Sequence, residues 1–275
     1  MLRKLLKYDF LSIRRYLIPL LLLTPALSFI AGMISFLSAK TSQALVTLGL
    51  KSIFFFSIFA LALSVALLPV LLVVRYYAGL YSDSGYLTLM LPVKRRMLIF
   101  SKLLCAFLSE LSYIVVAFFS FVFALGAGSA AAVGRNPFYG YKIIFDGIRG
   151  FLQTAPLNAA LLVVEILAYV LVWVILQFSI LYLGVTLGAV IFQGKGKILG
   201  GVLFCFVTNT AVSTLLSLIE LAISGGIIGI GSLSAFESGT TLQIFFAVEI
   251  ILRLGISVGL YFFNVRMTEK KLNLG

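Results

Sequence analysis

The chain has 275 residues, of which 62% are hydrophobic and only 11% charged, and its mean hydropathy is +1.17. A soluble domain carries roughly 45–50% apolar and about 25% charged residues, so an ordinary soluble protein and a disordered one are both excluded. The charge is lopsided, with 21 Lys and Arg against 9 Asp and Glu for a net +12. Because the cations sit between long apolar runs, the imbalance reads as membrane orientation and not as a nucleic-acid surface.

The N-terminus places Leu2, Leu5, Leu6, Ile13 and Leu17 near one helical face, with Arg3, Lys4, Lys7 and Arg14 mostly opposite. That pattern predicts an interfacial helix over residues 1–16, lying against anionic lipid. A membrane helix needs about 20 mostly apolar residues, and six stretches qualify: Leu17 to Leu37, Ile53 to Val74, Leu103 to Ala127, Leu157 to Phe192, Ile198 to Ile223 and Leu242 to Phe263. The basic opening and first apolar core are both longer than those of a signal peptide, whose core is usually about 7–15 residues, so they read as an uncleaved anchor. The fourth stretch is long enough for two spans, but only Gly184 and Gly188 interrupt it and neither is central, so one long helix is predicted.

Between the spans, residues 75–102 form a cation-rich loop and 128–156 a loop on the other side. In the latter, Tyr141, Ile144, Phe145, Ile148, Phe151 and Leu152 follow helical spacing, with Lys142, Asp146, Arg149 and Gln153 on the polar side. An amphipathic helix packed on the lipid surface is expected. The Gly- and Ser-rich stretch 224–241 reads as a segment that dips back into the membrane where protein shields its backbone.

The cations order these elements. Arg3, Lys4, Lys7, Arg14 and Arg15 precede the first span; Arg75, Lys94, Arg95, Arg96 and Lys102 follow the second; Lys195 and Lys197 follow the fourth; and Arg266, Lys270 and Lys271 close the chain. Only Lys40, Lys51, Arg135, Lys142 and Arg149 fall on the opposite side. The excess places both termini in the cytoplasm of a single 1–275 transmembrane domain.

Little in the chain carries bond-breaking chemistry. With no His, the Ser-His-Asp and Cys-His triads and the commonest metal ligand are missing. Cys105 and Cys205 lie in apolar segments and make neither a disulfide framework nor a zinc site. Gly194-Lys195-Gly196-Lys197 lacks the frame of a phosphate-binding loop. An enzyme is therefore not expected, nor a cofactor or metal in this chain. Five ionisable residues fall at membrane depth: Glu110, Glu165, Glu220, Glu249 and Arg253. Intramembrane charges call for a functional hypothesis, here direct substrate contact, against which stands structural pairing or interfacial placement; Glu249 and Arg253 are four apart and placed to pair. Gly184 with Gly188, Gly196 with Gly200 and Gly255 with Gly259 have the spacing that lets helices approach closely.

The most distinctive stretch runs Tyr81-Ser82-Asp83-Ser84-Gly85-Tyr86-Leu87-Thr88-Leu89-Met90-Leu91-Pro92-Val93-Lys94-Arg95-Arg96, followed by Ser101-Lys102-Leu103-Leu104. It resembles type-2 ATP-binding-cassette (ABC) transporter permeases, the small six-span kind from Gram-positive bacteria, in which an acidic-Gly-Tyr-Leu-x-x-x-Leu-Pro-Val segment and a Ser-Lys-Leu start to the third span recur. Ser84 stands where a Glu is common in that family. The opening at residues 4–10, Lys-Leu-Leu-Lys-Tyr-Asp-Phe, is similar to the family's interfacial elbow helix. The resemblance implies an all-α permease of six spans in a bacterial cell membrane, pairing with a second permease copy or homologue. Two separate ATPase subunits would bind the ATP and magnesium. It implies a coupling helix between spans two and three that seats in the ATPase, with Asp83, Gly85, Tyr86, Leu87 and Leu91 as contact residues. The residues themselves agree: Asp83 or Ser84 can cap a short helix and Pro92 stops it.

Two other readings compete: a stand-alone carrier that couples ions through Glu165, Glu249 and Arg253, and a non-transporting immunity or scaffold protein. A carrier of that kind is expected to show internal repeats with broken spans at matching positions, and none is visible here. The topology is directly testable. In a background lacking the two native cysteines, Lys40→Cys and Lys142→Cys are expected to react with an impermeant thiol reagent outside intact cells. Lys195→Cys is expected to stay unreactive, and its labelling from outside would discard the six-span arrangement.

Overall fold

The structure is a computed structural model of the chain, and it describes residues 2–81, 95–154, 159–192, 197–230 and 239–271. Every secondary-structure element among the described residues is a helix: α1 (Leu2–Lys40), α2 (Ala44–Leu80), α3 (Arg95–Ala132), α4 (Tyr139–Thr154), α5 (Ala159–Ile191), α6 (Lys197–Ile230) and α7 (Gly239–Lys271). All except α4 contain stretches long and apolar enough to cross a membrane. Helix is what hydrocarbon demands, because the backbone N–H and C=O groups then satisfy one another inside the segment. The six long helices have 33 to 39 residues, or about 50–58 Å at 1.5 Å per residue. They exceed the roughly 30 Å of hydrocarbon and so extend beyond it.

The fourth apolar run is one helix, α5, as its uninterrupted pattern predicts. The amphipathic stretch of the 128–156 loop forms α4. Residues 2–16, expected as a separate interfacial helix, are instead the first turns of α1, which continues unbroken past Pro19 and Pro25. At the Gly- and Ser-rich stretch, α6 runs on to Ile230 and α7 begins at Gly239, with the residues between lying outside the described part.

The helices contribute to two compact units. One comprises residues 11–71 and 108–154. There α1 and α3 pack through a buried Ser28 hydroxyl that donates to the Ser120 carbonyl at 2.6 Å and through the stacked rings of Phe29 and Phe123. Buried Tyr113 of α3 donates its hydroxyl to the Ser64 carbonyl of α2 at 2.8 Å. Helix α4, expected to pack on the lipid surface, is also fastened to α3. Tyr141 donates to the Phe119 carbonyl at 3.1 Å, and Gly126 and Gly140 bring the two backbones together so closely that a Cβ on Gly126 would lie 2.8 Å from the Gly140 carbonyl.

The other unit comprises residues 1–10, 72–107 and 155–275. Leu176, Ile180 and Leu216 form its apolar centre, with Val212, Leu252, Ile256 and Leu260 packed against them, so α5 meets both α6 and α7. Two small-residue positions set the α5–α6 approach. A Cβ on Gly184 would lie 2.6 Å from the Cys205 Cα, and one on Gly188 would lie 2.5 Å from the Gly201 Cα. Without a hydrophobic driving force between helices in lipid, this close backbone contact is what supplies van der Waals attraction. Gly255 and Gly259, with the same spacing, face open space. Large side chains such as Phe55, Phe206 and Ile251 stand exposed, which suits a hydrocarbon surround and not water. Accordingly, Gly188→Val is expected to destabilise the purified protein by about 1–3 kcal/mol through overpacking, and Gly255→Ala, with no clash to make and a better helix former, to stabilise it by up to about 1 kcal/mol; thermal midpoints in detergent measure both.

Candidate functional site

The contact residues implied by the family resemblance, Asp83, Gly85, Tyr86, Leu87 and Leu91, lie outside the described residues. The structure does describe what holds the two ends of that stretch, Tyr81 before it and Arg95 after it, and all of those contacts fall within one unit.

Tyr81 ends the chain direction of α2 in a buried polar knot. Its hydroxyl donates to Thr186 Oγ1 of α5 at 2.9 Å. The Thr186 hydroxyl has a single proton and two acceptors at 2.8 Å, the Tyr182 carbonyl and Asn264 Oδ1 of α7. Tyr76 completes the knot: its ring stacks on Tyr182 at 3.8 Å, and its hydroxyl lies 3.5 Å from Asn264 Nδ2. Tyr76, Thr186, Tyr182 and Asn264 are all buried. Burial pushes the Tyr81 hydroxyl above its ordinary pKa, so it remains a neutral donor at physiological pH. Three helices thus meet through hydroxyls and an amide whose alternative, in an apolar surround, is desolvation without a partner.

Arg95, the first residue of α3, donates from Nη1 to the carbonyls of Thr268 and Glu269 at 2.7 and 3.3 Å. These are near the end of α7, where unpaired carbonyls and the helix dipole favour a cation. Arg96 pairs with Glu269 at 3.3 Å, but both side chains are well exposed, and such a pair contributes about 0–1 kcal/mol. A second lock lies a turn or two further along α3. Asp9 of α1 accepts from the Ser101 hydroxyl at 2.8 Å and from Lys102 Nζ at 3.2 Å. Gly79 of α2 makes room for that ammonium, since a Cβ there would lie 2.9 Å from Lys102 Nζ. The Asp of the N-terminal opening and the Ser-Lys at the start of the third span, 92 and 93 residues apart, are therefore direct partners.

The intramembrane charges divide. Arg253 donates from Nε to Glu249 Oε2 at 2.8 Å, the pairing that the i, i+4 spacing predicts, and from Nη2 to Glu220 Oε1 of α6. Its guanidinium also lies 4.9 Å from the centre of the Tyr169 ring of α5. One cation thus ties α5, α6 and α7. Glu165, grouped with Glu249 and Arg253 in the carrier reading, is partly buried on α5 but has no hydrogen bond or ion pair to them among the described residues, and its Oε2 is buried without a partner. Buried Glu110 of α3 likewise has an unpartnered Oε2. Among the described residues no group of three His, Cys, Asp or Glu stands together as a metal site.

Glu220, Asp9, Thr186 and Asn264 take part in these arrangements although the sequence marks none of them as a partner of the residue it contacts. The one available signal was scarcity: in a chain with 9 acidic residues, an Asp flanked by apolar residues at the N-terminus calls for a cation elsewhere.

No protein-family model, curated protein or solved structure matches this chain. The charge cluster makes an ordered forecast. Arg253→Gln leaves two carboxylates without their cation and is expected to cost about 3–5 kcal/mol. Glu220→Gln or Glu249→Gln leaves Arg253 with one anion, at about 1 kcal/mol each. Heating the detergent-solubilised variants and following the folded fraction checks the order; equal losses for all three would show that Arg253 is not the shared centre.

Proposed function

We propose that the chain is the permease subunit of an ATP-driven ABC exporter in a bacterial cell membrane. In this reading it forms the translocation path as a dimer, with a second copy or homologue, and takes its energy from separate ATPase subunits that bind ATP and magnesium. Both termini lie in the cytoplasm, with the basic opening of α1 in the inner headgroup layer. The segment from Ser82 to Leu91 is the coupling helix: Tyr86, Leu87 and Leu91 seat in the ATPase, Gly85 permits the close approach, and Asp83 fixes the start.

The observation that carries this reading is the bracketing of that segment. Tyr81, directly before it, is held by α5; Arg95, four residues beyond Leu91, is held by the end of α7; and the downstream helix α3 is held by Asp9 of α1. A push on a segment anchored in this way reaches α1, α5 and α7 as well as the two helices it joins, which is what transmission of a partner's power stroke needs. A loop that served only to connect α2 to α3 has no need of a buried hydroxyl anchor at one end and a part-buried guanidinium anchor near the other. The apolar side chains of the segment, more than a solvated loop requires, favour a protein contact surface. The lack of a phosphate-binding loop frame in the sequence supports a separate ATPase subunit as the nucleotide site in this reading. The pairing of Arg253 with Glu249 and Glu220 supports a structural task for those charges over the ion-coupling task of a carrier.

Leu87→Asp and Gly85→Pro are each expected to abolish co-purification of the ATPase while the permease still inserts and elutes as a folded protein. Full ATPase binding and full transport in both variants would remove the assignment of residues 82–91. Transport lost with the ATPase still bound would assign the segment a signalling task instead of an anchoring one.

A further inference from the structure

At the far end of α3 from Lys102, a turn and the start of α4 enclose an open cleft of about 540 Å³ lined by Gly134, Arg135, Asn136, Phe138, Tyr139 and Lys142. We propose that this cleft binds the phosphate of an anionic phospholipid headgroup, with Arg135 and Lys142 as the cationic contacts. The site lies within one compact unit and does not depend on the transport reading.

The cleft is cationic. The Arg135 guanidinium and the Lys142 ammonium lie 5.7 and 5.5 Å from the centre of the same Tyr139 ring. No acidic residue lines the cleft, and neither cation has an ion-pair partner among the described residues, although Asp146 stands four residues after Lys142 on α4. Two like charges sharing one open space repel each other unless an anion joins them. A phosphate answers both, because guanidinium grips its oxygens in a fork and ammonium adds a point charge. Asn136 supplies a further amide on the same rim.

Helix α3 carries no cation between Lys102 and its end at Ala132, a rise of about 45 Å, which matches the roughly 40–45 Å of a bilayer with both headgroup layers included. With Lys102 at one headgroup layer, the cleft falls at the other. Phe138, 63% exposed, and Tyr139 then sit where aromatic rings favour the interface. An acyl chain attached to the bound phosphate has exposed Phe145 and Ile148 of α4 as apolar neighbours.

Helix α3 ends in a Schellman turn: Gly134, at φ 69°, donates its N–H to the Ala131 carbonyl, and Arg135 donates to the Ala130 carbonyl, both at 3.0 Å. The Gly126–Gly140 approach then fixes α4 against α3. The cleft's backbone is therefore set before any ligand arrives, so binding orders only two side chains.

The test uses the full chain in neutral detergent and a fluorescent phosphatidylglycerol, with phosphatidylcholine and inorganic phosphate as the other probes. Phosphatidylglycerol is expected to bind more tightly than phosphatidylcholine. Arg135→Gln and Lys142→Gln should each weaken it about fivefold and together more than tenfold. Lys142→Arg should retain binding, and Arg149→Gln, on the same helix outside the cleft, should change nothing. All of these side chains are exposed, so thermal midpoints without lipid are expected to be equal and confirm folding. Equal binding of the two lipids, or an equal loss from Arg149→Gln, would overturn the site. Displacement of phosphatidylglycerol by millimolar inorganic phosphate would overturn the lipid assignment in favour of a free anion.

Discussion

In hydrocarbon a polar side chain has no water to turn to, and the unit built from residues 1–10, 72–107 and 155–275 is organised by that constraint. Its hydroxyls, its amide and its guanidiniums reach across from one helix to another. Thr186 gathers Tyr81 and Asn264, Asp9 gathers Ser101 and Lys102, and Arg253 gathers Glu249 and Glu220. Each junction specifies which helices are neighbours and at what height, something that apolar side chains, interchangeable with lipid tails, specify poorly. The apolar centre around Leu176, Ile180 and Leu216 adds packing, but the polar junctions set the register.

Two of these junctions flank residues 82–94. Tyr76, Tyr81, Arg95, Ser101 and Lys102 all belong to the ends of α2 and α3 that flank that stretch. An exposed ion pair there, such as Arg96 with Glu269, adds little on its own. Buried anchors are different, since breaking one strands a desolvated group. In the proposed function this difference matters mechanically: a loosely tethered segment would absorb a partner's movement, whereas one held by buried and part-buried bonds passes it to α1, α5 and α7.

Glycine acts as the counterpart of the polar junctions. At Gly184 and Gly188 it lets α6 reach the α5 backbone, at Gly79 it admits the Lys102 ammonium, and at Gly126 and Gly140 it draws α4 onto α3. Spacing alone did not separate these from Gly255 and Gly259, where a Cβ would meet nothing within 4 Å among the described residues. What distinguishes them is the presence of a partner helix on the right side, a fact of assembly and not of the local pattern.

By itself the sequence determined whatever depends on neighbours along the chain. Six spans, the single unbroken α5, the amphipathic α4 and the Glu249–Arg253 pair all follow from composition and from the 3.6-residue period, because hydrocarbon forces helix and helix brings residues i and i+4 together. The tertiary structure decided what depends on distant residues. It joined Asp9 to Lys102 across 93 positions and Glu220 to Arg253 across 33, left Glu165 outside that cluster, and fused the expected interfacial helix into α1. A span's periodicity states which face is apolar, but nearly every face here is apolar. Which helix a rare charge meets was therefore settled only by packing, where the desolvation of each polar group selects the partner that relieves it.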